Sequence, residues 1–200
     1  MRTTLGGAVL LLAIAATTAG CGGSGTDATP PATTSPTPTK STSAPADPRD
    51  QATEDAQATL KRYFDVGNQV GQDPKVPLSR LKSVETSTLL FAEQHQYEKW
   101  RASGWKQVGD LKVTKMQVQT VSLDNSDPAK GKVPSVTVMV CTDSSDVDVV
   151  DKSGKSVVLS TRPRALTTLY TVANYHWKTD PSDGWRVATG TDKEVGKCTL

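Results

Sequence analysis

No stretch of this sequence is apolar for long enough to cross a bilayer as a helix: the apolar run from Leu5 to Ala16 falls short of the roughly 20 residues that a spanning helix needs. A basic run or stripe is also missing. With 23 Lys+Arg against 21 Asp+Glu, opposite charges are mixed along the chain, which leaves little for phosphate-driven binding and excludes nucleic acid as the expected partner. Only two histidines, His95 and His176, are present to act as imidazole bases, and only three cysteines, Cys21, Cys141 and Cys198. Acid–base and thiol chemistry therefore have few places to reside.

What is present begins at the N-terminus. Arg2 gives a short positive head, the apolar run follows, and it ends in Thr18-Ala19-Gly20-Cys21, small residues directly before a cysteine. That is the layout of a secretory leader. The ending resembles the lipobox read by bacterial lipoprotein-processing enzymes, with Thr18 standing where Leu is usual. The resemblance implies a signal peptide over residues 1–20, removed before Cys21, and a diacylglyceryl group on the Cys21 thiol; the alternative is an ordinary secretory peptide with an incidental cysteine. Acyl chains contribute about 0.8 kcal/mol per buried methylene, so two chains hold where one is marginal. The expected location is the extracytoplasmic face of the cell membrane, with the membrane as the first partner. Removing Arg2 with the leader changes the charge balance by one.

From Gly22 to Pro48 the sequence GGSGTDATPPATTSPTPTKSTSAPADP holds six of the twelve prolines and no aromatic or large aliphatic residue. Nothing in it can offset the entropy of folding. Residues 21–48 read as a lipidated cysteine and a disordered tether with a reach between about 30 Å as a coil and about 80 Å extended. Its Thr, Ser and Pro content also permits O-glycosylation. Residues 49–200 remain as one domain of about 150 residues, ample for a single core.

Asp47-Pro48 opens that domain with helix-start chemistry, a capping Asp followed by Pro at the first helical position and Asp50 in the first turn. Ala52, Ala56, Leu60, Tyr63 and Phe64 recur at helical spacing, and Gly67 offers a stop. Leu78 and Leu81 suggest one helical turn. A second helix over 87–102 places Leu90, Tyr97 and Trp100 to one side before Gly104 ends it. Beyond Gly104 the period falls to two. Leu111 to Val121 alternates with a change of phase near Lys115 that implies a bulge. Val133–Thr142, Val147–Val150, Val157–Leu159, Leu166–Trp177 and Trp185–Thr189 read as further strands, with Ser153-Gly154 as the turn of a hairpin. Helices first and strands after imply an α+β domain, N-terminal helices on a curved, mostly antiparallel sheet.

The stretches GWKQVGDLKV (104–113), VTVMVCTDSSDVDVVDKSGKSV (136–157) and DGWRVATGTDKEVGKC (183–198) resemble a group of actinobacterial secreted lipoproteins. Their domain is similar to the NTF2-like (SnoaL-like) fold, a cone in which helices cover the concave face of a bent sheet. That fold hosts isomerases, dehydratases, transport factors and scaffolds, so the resemblance implies architecture more than activity.

If lipid takes Cys21, Cys141 and Cys198 remain, and outside the membrane such a pair is usually oxidised. The expectation is a disulfide, with two free thiols as the alternative. Asp143, Asp146, Asp148 and Asp151 invite a calcium reading, but their spacing lacks the central Gly and closing Glu of an EF-hand loop, and Asp146 and Asp148 alternate with Val147 and Val149 as on a half-exposed strand. No metal or other cofactor is expected. Asp143 can alternatively hold a backbone turn. His95, in the polar stretch EQHQYEK, reads as a surface residue. Some NTF2-like enzymes use Asp/His or Tyr/Asp groups inside the cone, which makes Tyr170, His176 and Asp143 the pocket candidates here; no residue is assigned as catalytic. Tyr63, Phe64, Tyr97, Trp100, Trp105 and Trp185 could wall a ligand pocket, although ordinary core packing produces the same spacing.

The leading expectation is a non-enzymatic, lipid-anchored envelope protein whose domain binds a small hydrophobic ligand or another envelope protein, with a homodimer left open. The alternatives are a SnoaL- or ketosteroid-isomerase-like enzyme on a small hydrophobic substrate, and a scaffold of an envelope machine. A cone filled by its own side chains would speak against the enzyme; a cavity with two or more converging ionisable groups would speak for it.

Overall fold

The computed structural model describes residues 47–198 and residue 200. The leader, Cys21 and nearly all of the tether lie outside the described residues. Helix α1, Pro48–Gln72, starts where the Asp47 carboxylate accepts the Arg49 amide at 2.8 Å. It does not stop at Gly67 as the sequence suggested. A glycine inside a helix costs about 1 kcal/mol, and burial of Val70 one turn further on is worth more than that. The break comes at Asp73, extended because Pro74 follows it. A 3-10 segment, Leu78–Ser83, leads to α2, Ser87–Ser103, which ends at Gly104 in the left-handed conformation with φ +72°.

Four strands form one antiparallel sheet in the order β2 (Lys112–Ser122), β3 (Ser135–Asp143), β5 (Ala165–Asn174) and β6 (Trp185–Val195). The domain is α+β, helices packed on an open, mostly antiparallel sheet. Register shifts between Val113 and Lys115 and between Val118 and Thr120 put bulges in β2, the first where the change of phase predicted one. The hairpin predicted around Ser153-Gly154 is different. β4 (Asp148–Val150) pairs antiparallel with β1 (Lys106–Val108), a strand the sequence reading missed. Residues 157–159 form no strand; only a single bridge, Val150 to Ser156, and the Val157 amide on the Val149 carbonyl remain of the returning arm.

The core lies between α1 and the sheet. Ala52, Ala56, Leu60, Tyr63 and Phe64 of α1 meet Val136, Val138 and Val140 of β3, Tyr170 and Val172 of β5 and Val187 of β6. α2 is held differently: no residue of it is fully buried. Its Leu89, Leu90 and Tyr97 reach the core's edge, and polar links do the rest. The Tyr97 hydroxyl donates to the Gly67 carbonyl at 3.2 Å, Arg101 donates to the Val76 carbonyl at 2.6 Å, and the Thr86 amide donates to the Val187 carbonyl at 2.9 Å.

Candidate functional site

The link between the 3-10 segment and α2 runs beside β6. The Val187 amide donates to Val84, the Thr86 amide to Val187, and Glu85 forms a parallel bridge with Val187. This strand-like pairing fixes Glu85 between two outward-tied neighbours and drives its side chain inward, where it is only 1% exposed. Ser87, next in line, takes φ +57°, left-handed backbone in a residue that is not glycine.

Neither carboxyl oxygen of Glu85 has a donor. The group it faces is the Glu93 carboxyl of α2, and burial followed by the Glu93 charge pushes the Glu85 pKa up to about 9. Glu93 is also raised, by burial, against hydrogen bonds from Tyr63 and Glu85 that favour its ionised form. Two acceptors that face each other are satisfied only when one carries a proton. When the pair holds one proton, Glu85 is the member that carries it and donates to Glu93, which also accepts the Tyr63 hydroxyl. Burial in turn raises the Tyr63 pKa well above its usual value, that of Tyr170 to about 12, and that of Tyr97 upward, with Glu93 adding to each. No Lys, Arg or His among the described residues lies within ion-pair distance of either carboxyl.

Glu93 lines a cavity of about 230 Å³ between α1, α2 and β1, with Tyr63, Phe64, Tyr97 and Trp100 as aromatic wall and Leu111 closing one side. Its polar floor is already committed. Gln107 donates to Asn68 at 2.8 Å and to the Gly109 carbonyl at 2.9 Å, and Asn68 holds the Leu111 amide and carbonyl at 3.0 and 3.1 Å. A larger groove of about 520 Å³ along α1 and residues 110–113 is shallower, and there Gln72 is tied to Asp110 at 2.6 Å.

Of the three pocket candidates, only Tyr170 comes near this site, its ring 5.6 Å from that of Tyr63 in an edge contact. His176 is not in a strand, because β5 ends at Asn174 and His176 follows in an exposed turn. That turn is organised by Asn174, whose side chain accepts the His176 amide at 2.9 Å and donates to Asp180 and Pro181 carbonyls. Asp143 lies five residues along β3 from Val138, the partner of Tyr170, or about 17 Å of strand, and its carboxylate accepts the Ser145 amide at 2.8 Å. The three do not converge. The aspartates of the calcium reading are each tied locally: Asp146 to Lys112 at 2.5 Å, Asp148 to Ser156 at 2.8 Å, and Asp151 to Ser153 at 2.6 Å. Among the described residues no three His, Cys, Asp or Glu side chains are grouped to hold a metal. Cys141 and Cys198 lie at disulfide distance with their Cα atoms 5.4 Å apart, inside the range a bridge requires.

Tyr63, Phe64, Tyr97 and Trp100 wall the cavity, whereas Trp185 is fully buried against Trp177 and Trp105 is half-buried elsewhere. The sequence reading missed Glu85 and Glu93. For Glu93 a signal existed, since positions 90, 93, 97 and 100 form one helical stripe, which places a carboxyl among Leu90, Tyr97 and Trp100. Glu85 had none, because its inward direction depends on pairing with residue 187.

No family model matches this chain, and no curated protein matches it. Among solved structures, the intermembrane space region of chloroplast protein ARC6 is similar over 70% of this chain and 94% of that one, at 15% identity and a TM-score of 0.48.

Proposed function

We propose that this protein is a lipoprotein of the cell envelope. A diacylglyceryl group on Cys21 anchors it to the extracytoplasmic face of the membrane, residues 22–48 tether it, and its α+β domain, read as NTF2-like, is a binding module for a small molecule. The observation that carries the binding reading is the aromatic-walled cavity with the Glu93 carboxyl in its wall. The cavity is concave and largely apolar with few polar groups free to orient a guest, as small-molecule sites are.

One observation favours the enzyme alternative, an acid–base isomerase or dehydratase of the SnoaL type: ionisable groups do converge beside a cavity. The centre of the domain, however, is filled by Leu60, Tyr63, Phe64, Val138 and Tyr170. The oxygens of Glu93 are also engaged by the Tyr63 hydroxyl and by a protonated Glu85, hydrogen bonds that oppose the rise burial gives its pKa. Binding is the reading that the filled centre supports.

Two measurements test it. In cells, Cys21→Ser should move the protein from the membrane fraction to the soluble fraction or the medium; continued partition with membranes would end the anchor reading. Native mass spectrometry of the full chain released from membranes should retain a small molecule, lost in a Trp100→Ala variant of unchanged fold. Turnover of a model enone or β-hydroxyketone by the wild type, abolished by Glu93→Gln, would establish the enzyme instead.

A further inference from the structure

Glu85 is buried and Glu93 beside it half-buried, and a carboxylate drawn even partly out of water ordinarily has a counter-charge, because removing an ion from water is costlier than removing a pair. Here the Glu85–Glu93 pair carries a net negative charge when it shares a single proton, and no basic side chain among the described residues pairs with either member. The cavity beside Glu93 presents Tyr63, Phe64, Tyr97 and Trp100, and aromatic faces attract cations through their quadrupole. An aromatic wall, an unpaired carboxylate and an apolar side at Leu111 describe one kind of guest. A neutral apolar molecule would leave the charge uncompensated, and an organic anion would add to it.

We propose that the cavity between α1 and α2 binds a small organic ammonium ion, its N–H groups on the Glu93 carboxylate and its hydrocarbon body against Tyr97, Trp100 and Leu111. This rests on the binding reading above and narrows it to a ligand class. Glu85 does not touch the guest: it is absent from the cavity wall and acts behind Glu93, holding it ionised by donating the shared proton. The groups that face Glu93 are Tyr63 from α1, Glu85 from the preceding link and Tyr97 from its own helix, with Tyr170 of β5 behind Tyr63 and Arg101 beside Tyr97. All but Arg101 are neutral when the pair holds one proton. In acid Glu93 takes up a second proton and affinity for the cation is lost.

The test is a titration of the ¹⁵N-labelled full chain carrying Cys21→Ser, followed by amide and indole shifts, with three probes of one skeleton: n-butylammonium, 1-butanol and butyrate. Saturable binding of n-butylammonium is expected at millimolar concentration or below, with shifts centred on α1 and α2, the alcohol about tenfold weaker or more and butyrate silent. Glu93→Gln should weaken the ammonium by about 10- to 100-fold, and Trp100→Ala by about tenfold. Gln96 is an exposed residue of the cavity wall, so Gln96→Lys, with little risk to folding, should abolish binding by setting a resident ammonium there. Equal binding of 1-butanol and n-butylammonium would overturn the cation class and leave the binding reading standing. Silence of all three probes up to about 100 mM would overturn both. Full affinity in Gln96→Lys would also overturn the proposal.

Discussion

Replacing Glu85 by Gln isolates the energetic consequence of the shared proton. In the fold the Glu85 pKa stands at about 9 against an ordinary 4.5, from burial first and then the Glu93 charge. The folded chain at pH 7 therefore holds a proton that the unfolded chain has released. A carboxyl raised in this way contributes its full stability below the unfolded value and loses it as pH climbs toward the folded one. At about 1.4 kcal/mol per pH unit per proton, the protein should be about 3 kcal/mol less stable at pH 7 than near pH 4.5. Gln keeps the shape and donates an N–H to Glu93 at every pH, but its second N–H lacks an acceptor, at a cost of about 1–3 kcal/mol. Glu85→Gln should thus be the less stable protein near pH 5, match the wild type between about pH 6 and 7, and exceed it by about 2 kcal/mol at pH 8. Urea unfolding of the full chain, read by tryptophan fluorescence in steps above pH 4.5, measures this. In that window Asp124, Asp143 and Asp151, whose pKa values are lowered by hydrogen bonds from Ser126, Ser145 and Ser153, remain ionised and do not contribute to the slope. A wild-type stability that stays flat or rises from pH 5 to 8, or two parallel curves, would refute the buried acid pair.

Two glycines of α1 make a matched comparison. A Cβ at Gly67 meets only the Tyr97 hydroxyl, at 3.6 Å, an ordinary contact, so Gly67→Ala should raise stability by up to about 1 kcal/mol through helix propensity. At Gly71 a Cβ falls 2.7 Å from the Gln107 side-chain oxygen, and Gln107 is buried and held by Asn68 and Gly109; Gly71→Ala should cost about 1–3 kcal/mol. Thermal unfolding of both variants should show shifts of opposite sign, and a gain at Gly71 would contradict the tight α1–β1 contact. For the cysteines, closure of a 57-residue separation is worth about 4 kcal/mol in the chain-entropy argument. Cys198→Ser should lower unfolding stability by that order under oxidising conditions and make it indifferent to reductant. Two alkylatable thiols in native, non-reduced protein would rule the bridge out.

The parts of this fold that were legible are those whose cause is local. Asp47 announces α1 because a capping carboxylate needs only the next two residues. Gly104 ends α2 because only a left-handed residue fits there, and the bulge near Lys115 shows as a change of phase within one strand. Where the cause is distant, the local signal misleads. Gly67 reads as a stop until Val70 is seen buried against the core. Val157 to Leu159 reads as the second arm of a hairpin until β4 is found paired to β1, forty residues earlier, and His176 leaves the strand because Asn174 turns the chain with bonds to residues 180 and 181.

The candidate site belongs to the second kind, and the reason is physical. A glutamate in a sequence is read as charged and therefore solvated, which holds only while water remains its best partner. At position 93 the stripe formed with Leu90, Tyr97 and Trp100 turns the carboxyl toward α1, where the Tyr63 hydroxyl replaces water. At position 85 the pairing of residues 84 and 86 with β6 leaves the side chain no outward path, so a proton replaces water. Glu85 alone, fully buried, would be an error of burial, and Glu93 stands half-buried beside it. Together they cost less than two separate charges would, since one proton satisfies both, and what remains is a single negative charge at the wall of an aromatic cavity. α2, with no fully buried residue of its own, is fastened to the domain by the edge contacts of Leu89, Leu90 and Tyr97, by that charge and by a few hydrogen bonds. The same helix therefore supplies the site's acid and its aromatic wall, and whatever compensates the Glu93 charge should also fasten α2 more firmly to α1.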